Sequence, residues 1–376
     1  MSTTATPPAI AEDPALADLV AQVRAAQADR QPLQICGGGS KAFYGETPRP
    51  DLRPLDVRGL RGISRHEPTE LVVTVRAGTS LAELEATLAA HGQWLPFEPP
   101  HYGVDPRQGT VGGMVAAGLA GPARATAGGV RDYVLGASVL NGRGQLLSFG
   151  GQVMKNVAGY DIARLLPGSL GVLGVICEVS LKVLPMPPAS CTLRFELDEL
   201  ASLKRLQRWG TQPLPVSASA WWNGMLVVRL AGAVAAVEAA RAQFGGEEVD
   251  APLARDFWQG LRDQRDEFFI NAQQAIAVGA TLWRLSVPQS APAAELPGEH
   301  LIEWGGAQRW CVTTAPATKV REIAQRLRGH ATAFRGQREP GVFAPLPGPQ
   351  AEIQRRLKAE FDPDGLFNPG RLYPDL

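Results

Sequence analysis

The segment Thr110 to Gly121, TVGGMVAAGLAG, constrains this chain more than any other, because almost every side chain in it is absent or minimal. Glycine permits backbone conformations and close approaches that other residues do not. If Gly112 and Gly113 open a helix, the unpaired N–H groups of its first turn face inward and suit a diphosphate. Ala116, Ala117 and Gly118 then keep the following surface flat. A second bare run, Cys36-Gly37-Gly38-Gly39-Ser40-Lys41, follows a short apolar stretch and has the makings of an anion nest. Two such loops predict a long cofactor with two phosphates. The plainer readings are tight helix packing for the first run and a flexible turn for the second. Neither run matches the G-x-G-x-x-G or G-x-x-x-x-G-K-[ST] nucleotide fingerprints.

The charge balance limits the partners. Among 376 residues, 37 Lys and Arg face 37 Asp and Glu, giving a formal net charge of zero. A nucleic-acid partner calls for a clustered basic excess, so none is expected. An anionic cofactor must then be held by backbone donors rather than by a basic patch. Cys36, Cys177, Cys191 and Cys311 lie far apart, with no C-x-x-C pair. No disulfide framework, zinc site or iron–sulfur cluster is expected, and no metal. The N-terminal stretch lacks a charged-then-apolar signal pattern. The most apolar window, Leu165 to Leu184, is broken by Pro167, glycines, Glu178 and Lys182, which argues against a membrane span. A cytoplasmic location is expected, with membrane association only through a complex.

Periodicity predicts an α+β chain. Helix 14–28 leads into a strand at 33–36. A strand at 71–75 precedes a helix from Ser80 to His91, with Ser80 and Glu83 spaced as a capping box. A short extended piece, 94–100, closes in Pro99-Pro100. Strands at 134–140 and 145–149 flank Asn141-Gly142-Arg143-Gly144, a hairpin signal. A β-rich run covers 171–184. After Pro185, Pro187 and Pro188, strands at 192–197, 217–222, 225–230, 281–287, 300–304, 308–313 and 331–335 alternate with helices at 198–209, 233–244 and 316–328. A looser helical stretch, 253–275, interrupts them. Two β-α-β-β-α passes suggest a ferredoxin-like second domain. A linker at 336–349 leads to a closing helix, 350–361.

The order G-G-G-S, P-P, T-V-G-G-M-x-A-A-G, K-N-V-A-G-Y-D, G-S-L-G-V-L-G-V-I and the terminal F-D-P-x-G-x-F-N-P-G-R resembles the FAD-binding domain of the vanillyl-alcohol oxidase and p-cresol methylhydroxylase (PCMH-type) superfamily. The wording M-K-N-V-A-G-Y-D-I-A-R-L is similar to the FAD-binding E subunits of bacterial glycolate oxidase. The resemblance implies a PCMH-type FAD-binding domain over 1–188, made of a small α/β unit and an antiparallel α+β unit. It implies a cap, substrate or partner domain over 189–345 and a C-terminal segment, 346–376, returning to the first domain. It also implies an oxidoreductase subunit that takes part in oxidising glycolate or another small 2-hydroxy acid to a 2-keto acid. The implied partners are a homologous catalytic flavoprotein and an iron–sulfur subunit. Residues 36–41 are expected at the pyrophosphate and Pro99 toward the flavin. Gly109, Thr110, Gly112, Gly113, Ala116, Ala117 and Gly118 are expected at the pyrophosphate and flavin edge, and Gly174, Val175 and Ile176 at the adenosine end.

Departures from the pattern carry information. Ser40 and Lys41 stand where covalent members have histidine, so FAD is expected to be non-covalent. The G-D-G-N-x-H run of related hydroxyacid dehydrogenases is absent, and His66, His91, His101, His300 and His330 are isolated. No catalytic residue is assigned. Arg131, Arg164, Arg284, Arg309 and Arg335 are possible carboxylate-binding cations. A self-sufficient hydroxy-acid or sugar-alcohol dehydrogenase, with His300 or Tyr160 as base, is the first alternative. A non-catalytic scaffold is the second. Trp221, Trp222, Trp258, Trp283, Trp304 and Trp310 are expected to be core, or else a partner surface.

Overall fold

The computed structural model describes residues 13–103, 105, 108–151, 161–339 and 341–376. The expectations for Lys155 to Tyr160 and for the tail before Asp13 lie outside the described residues. Helix α1 (Pro14–Asp29) begins where the Asp13 carboxylate accepts from the amides of Ala15 and Leu16, at 3.1 and 3.2 Å. Its apolar stripe covers a parallel pair, β1 (Leu33–Cys36) and β2 (Arg53–Asp56). The chain continues through β3 (Ile63–Glu67), β4 (Val72–Arg76), α2 (Leu81–Ala89) and β5 (Gln93–Trp94). Next come α3 (Val111–Ala117), α4 (Arg124–Ala127), α5 (Val130–Tyr133), β6 (Val134–Leu140), β7 (Leu146–Gly150), β8 (Val175–Lys182) and β9 (Leu184–Pro185).

Five of these strands form an antiparallel sheet in the order β3-β4-β8-β6-β7. One face buries Val73, Val75, Val179 and Leu181 with residues of α2 and α3. A register shift lets Val175 and Cys177 join the cluster beneath α1. The β6–β7 turn closes as its sequence predicts: the Asn141 side-chain oxygen accepts from the amides of Arg143 and Gln145, both at 3.0 Å. The capping box does not form. Ser80 occupies the N-cap without a capping bond, and the Leu81 amide donates instead to the Gly109 carbonyl at 2.8 Å. A neighbouring backbone running antiparallel to Ser80 has taken over the capping role.

The second half contains β10 (Ala189–Glu196), α6 (Glu199–Gly210), β11 (Val216–Trp222), β12 (Met225–Gly232), α7 (Val234–Phe244) and β13 (Glu247–Glu248). The loose helical stretch is two helices, α8 (Ala251–Asp263) and α9 (Glu267–Ala277), broken at left-handed Gln264 and restarted by the Asp266 cap. Then follow β14 (Thr281–Ser286), β15 (Glu299–Glu303), β16 (Gln308–Thr313), α10 (Ala317–Arg326), β17 (His330–Arg335) and α11 (Gly348–Phe361). Eight strands make one sheet, β13-β10-β12-β11-β15-β16-β14-β17, joined across its middle by Ala220 with Glu303 and Trp221 with Ile302.

The two halves share a core. Tyr44, Tyr102, Ala117 and Leu170 pack in one cluster with Trp258, Phe268, Phe269, Trp310 and Phe334. Trp221, Trp258, Trp283, Trp304 and Trp310 are buried, the plainer of the two expectations, whereas Trp222 is only half-buried and its Nε1 donates to Glu299 at 2.8 Å. Polar bonds pin the seam: Trp304 Nε1 donates to the Gly121 carbonyl at 3.0 Å, and Arg229 pairs with Glu98 at 2.8 Å. No helix among the described residues is long and apolar enough to cross a membrane.

Glu303, fully withdrawn from water near this seam, accepts from Trp310 Nε1 at 2.6 Å and Gln308 Nε2 at 2.9 Å. Burial pushes its carboxyl from the ordinary 4.5 up to about 7. The folded state therefore holds a proton that the unfolded chain has released, and stability falls as pH rises from about 4.5 to about 7. Glu303→Gln should lack this share of the decline, so that the variant gains on the parent between pH 5 and pH 8. Urea unfolding across that range checks this; a pH-independent difference would refute it.

Candidate cofactor site

A cleft enclosing about 1100 Å³ of empty space, its open mouth included, lies between the β1–β2 layer and the start of β8. Cys36, Gly37, Gly38, Gly39, Ser40 and Lys41 line one wall, and Thr110, Gly112, Gly113, Ala116 and Ala117 line another. Gly174 and Ile176 stand at the start of β8. Four expected residues do not line the cleft. Pro99 is buried nearby, Gly109 accepts from Leu81, Gly118 ends α3 in a left-handed conformation, and Val175 lies beneath α1.

The donors differ from those that the sequence suggests. Gly112 N–H is consumed by the Ala77 carbonyl at 2.7 Å, and Gly113 N–H by Thr110 Oγ1 at 3.2 Å. Val111 and Met114 donate to Thr79 and Thr110 carbonyls. The first turn of α3 therefore has no amide left for a ligand. The 36–41 loop is the reverse: the amides of Gly37, Gly38, Gly39, Ser40 and Lys41 donate to no group among the described residues. Gly39 turns this loop with φ +75, a left-handed conformation that suits glycine.

Much of the bareness serves the chain itself. A Cβ on Gly38 would lie 1.4 Å from the Gln108 carbonyl oxygen, one on Gly112 2.7 Å from the Ala77 Cβ, and one on Gly118 2.7 Å from the Gly168 nitrogen. The two glycine runs are pressed onto neighbouring backbone, which brings them to opposite walls of one cleft. Gly39 and Gly109 are the more open positions, with nearest neighbours at 3.9 and 3.6 Å.

The C-terminal segment supplies the wall that motif reading left without a role. Asn368, Pro369 and Arg371 line the cleft beside Leu170 and Gly171. Asn368 Oδ1 accepts from the Ile35 amide at 2.8 Å, and its Nδ2 donates to the Leu170 carbonyl at 2.7 Å. The Arg371 guanidinium donates to the carbonyls of Ala42, Tyr44 and Glu46, which shapes the rim. Behind them the Lys358 ammonium donates to Asp362 Oδ2 at 2.6 Å and to the Val172 and Phe367 carbonyls at 2.8 and 2.9 Å. The F-N-P-G-R run was legible as a motif, but only the packing puts it in the cleft.

The charged side chains lining the cleft are Lys41 and Arg371, with no carboxylate and no histidine among the described lining residues. Its apolar lining includes Ile35, Leu52, Val57, Leu170 and Ile176. Free amides, two cations and an apolar trough fit a dinucleotide that carries a diphosphate. The possible carboxylate-binding cations are mostly engaged elsewhere. Arg309 donates to the carbonyls of Ala291, Pro292 and Gly306, Arg164 pairs with Asp161, and Arg335 lies over the Phe43 ring at 3.4 Å. Arg284 donates to the Tyr44 hydroxyl at 3.0 Å, and Tyr44 lines the cleft. His300 Nε2 is bonded to Glu199 at 3.1 Å and lies outside the cleft.

Asn368→Ala leaves the Ile35 amide and the Leu170 carbonyl without their partner. About 1–3 kcal/mol of stability should be lost for each group left buried and unsatisfied. Thermal unfolding together with the flavin-to-protein ratio measures it; an unchanged midpoint and occupancy would show that the tail does not hold the wall.

The sequence pattern of the FAD binding domain family matches residues 8–150. Glycolate oxidase subunit GlcE of Escherichia coli (strain K12) is 49% identical over 359 residues, covering 95% of this chain and 97% of that protein. Glycolate oxidase subunit GlcD of Bacillus subtilis (strain 168) is 29% identical over 164 residues, 44% of this chain and 34% of that one. An alkyldihydroxyacetonephosphate synthase shares the fold, with a TM-score of 0.65 at 15% identity over 94% of this chain and 74% of its own. The chain thus has the PCMH-type FAD-binding fold, takes FAD as its cofactor and is an FAD-dependent oxidoreductase. Together these findings show that the chain belongs to the glycolate oxidase GlcE family.

Proposed function

We propose that this chain is the FAD-binding subunit of a glycolate oxidase, taking part in the oxidation of glycolate or a related 2-hydroxy acid to the 2-keto acid. The observation that carries the reading is a cleft between two glycine runs whose free donors are the amides of one glycine loop, in a chain aligned almost end to end with GlcE. FAD, when bound, supplies the two-electron acceptor for the hydrogen on the substrate's Cα. The amides of residues 37–41 hold the diphosphate, while Gly113, Ala116 and Ala117 give a flat wall. Gly174 and Ile176 border the adenosine end, and Asn368 braces β1 against Leu170. Pro99, Gly109, Gly118 and Val175 act behind the wall as packing.

Domain limits at residues 188 and 345 agree with sheet membership, since every strand of the eight-stranded sheet lies between them. Each half of that sheet runs fourth, first, third, second in chain order, which supports a doubled ferredoxin-like reading. The tail after 345 returns to β1 through the Leu33–Phe367 bridge.

Substrate oxidation needs a base for the hydroxyl proton. With neither carboxylate nor histidine on the described lining, this chain is read as relaying electrons or supporting a homologous flavoprotein, GlcD-like in kind. An iron–sulfur subunit takes the electrons onward, because the scattered cysteines supply no cluster motif. The test mixes purified, FAD-loaded chain with glycolate and a dye, alone and within the complex recovered from its own cells. The lone chain should reduce dye far more slowly than the complex, and a flavoprotein and an iron–sulfur protein should co-purify. Equal rates for the lone chain and the complex would overturn the relay role.

A further inference from the structure

Three residues, Tyr44, Ala117 and Leu170, belong both to the lining of the cleft and to the aromatic cluster at the seam. That cluster is therefore the end wall of the cleft toward the second half. With the adenosine end of FAD at Gly174 and Ile176, as proposed above, the flavin ring falls to this wall. A hydroxy acid oxidised by that flavin has to stand against the ring, in space between the two halves.

The space is filled. Phe43 meets Tyr102 and Phe334 edge-on, with ring centroids 5.5 Å apart in both pairs. The Arg335 guanidinium lies over the Phe43 ring at 3.4 Å, and its Nε donates to Gln264 Oε1 at 3.1 Å. Arg338 donates to the Phe43 carbonyl at 2.8 Å and to Thr47 Oγ1 at 3.1 Å, which ties down the same loop. Arg284 lies over the Tyr44 and Phe334 rings and bonds the Tyr44 hydroxyl. A planar guanidinium stacked on a ring is held by dispersion and by the ring's negative face together. The large cavity elsewhere on the seam, between α6, β11 and Trp304-Gly305, shares no lining residue with the cleft.

We infer that the Phe43–Arg335 stack is a plug that closes the flavin of this chain to hydroxy acids while leaving it open to electrons. Resting on the FAD reading, the plug gives the relay role a steric cause in addition to the missing base. Charge does not supply the exclusion. Among the described residues neither Arg284 nor Arg335 is paired with a carboxylate, so the local field favours a small anion. Only the packing keeps one out.

The test adds sulfite to the FAD-loaded chain. Sulfite is a small anion whose sulfur adds to N5 of oxidised flavin and bleaches the visible band, so it reports access to the ring without catalysis. The parent should keep its band. Phe43→Ala and Arg335→Ala should each hold FAD at the parent's ratio and lose the band, recovering it when sulfite is removed. Phe43→Tyr should stay protected. Removing a cation disfavours an anionic adduct, so bleaching of Arg335→Ala reports access and not a change of charge. That variant decides alone if Phe43→Ala fails to fold. A parent that bleaches as readily as the variants, or variants that hold FAD and keep their band, would overturn the plug. A parent that takes up no FAD would instead remove the cofactor reading beneath it.

Discussion

The structure depends on one carboxamide. Asn368 accepts from Ile35 on β1 and donates to Leu170, so a single side chain spans the two walls of the cleft. Both of its polar ends are used and both partners are backbone, which fixes spacing more tightly than a side-chain pair would. The buried Lys358–Asp362 pair sets the turn that delivers it, since Asp362 also accepts from the amides of Leu366 and Phe367. An ion pair so withdrawn adds little net stability, and its use is to specify one geometry.

The same economy governs the seam between the two halves. The aromatic cluster of Phe43, Tyr44, Tyr102 and Phe334 fills the space where the halves meet, with ring centroids 5.3–6.2 Å apart. Arg284 and Arg335 sit over these rings and not over an open cavity. Cations laid on aromatic faces are stabilised without a carboxylate. The seam is therefore packed as a core.

Elements with strong local signals were legible in the sequence. Helix α1 has its Asp-Pro start and its 3.6-residue stripe, and the β6–β7 hairpin has its Asn-Gly turn; both lie where pattern alone puts them. What failed depended on distant backbone. The Ser80–Glu83 capping box was displaced by the Gly109 carbonyl, and the α3 amides by Thr79 and Ala77. Thr110 takes the Gly113 and Met114 amides from within TVGGM, but nothing in the run reveals that Val111 and Gly112 are also taken, because Thr79 and Ala77 lie more than thirty residues earlier. The glycine loops were rightly read as places of close approach, yet the object approached is in large part Gln108, Ala77 and Gly168.

The bond between Ile35 and Asn368 joins residues 333 positions apart. Closing so long a stretch of chain costs entropy that local contacts do not return. The contact that braces the C-terminal wall is therefore among the most non-local in the chain, made only where its two ends meet. The two glycine runs face each other without it, but the brace from Ile35 to Leu170 comes wholly from the far end of the chain.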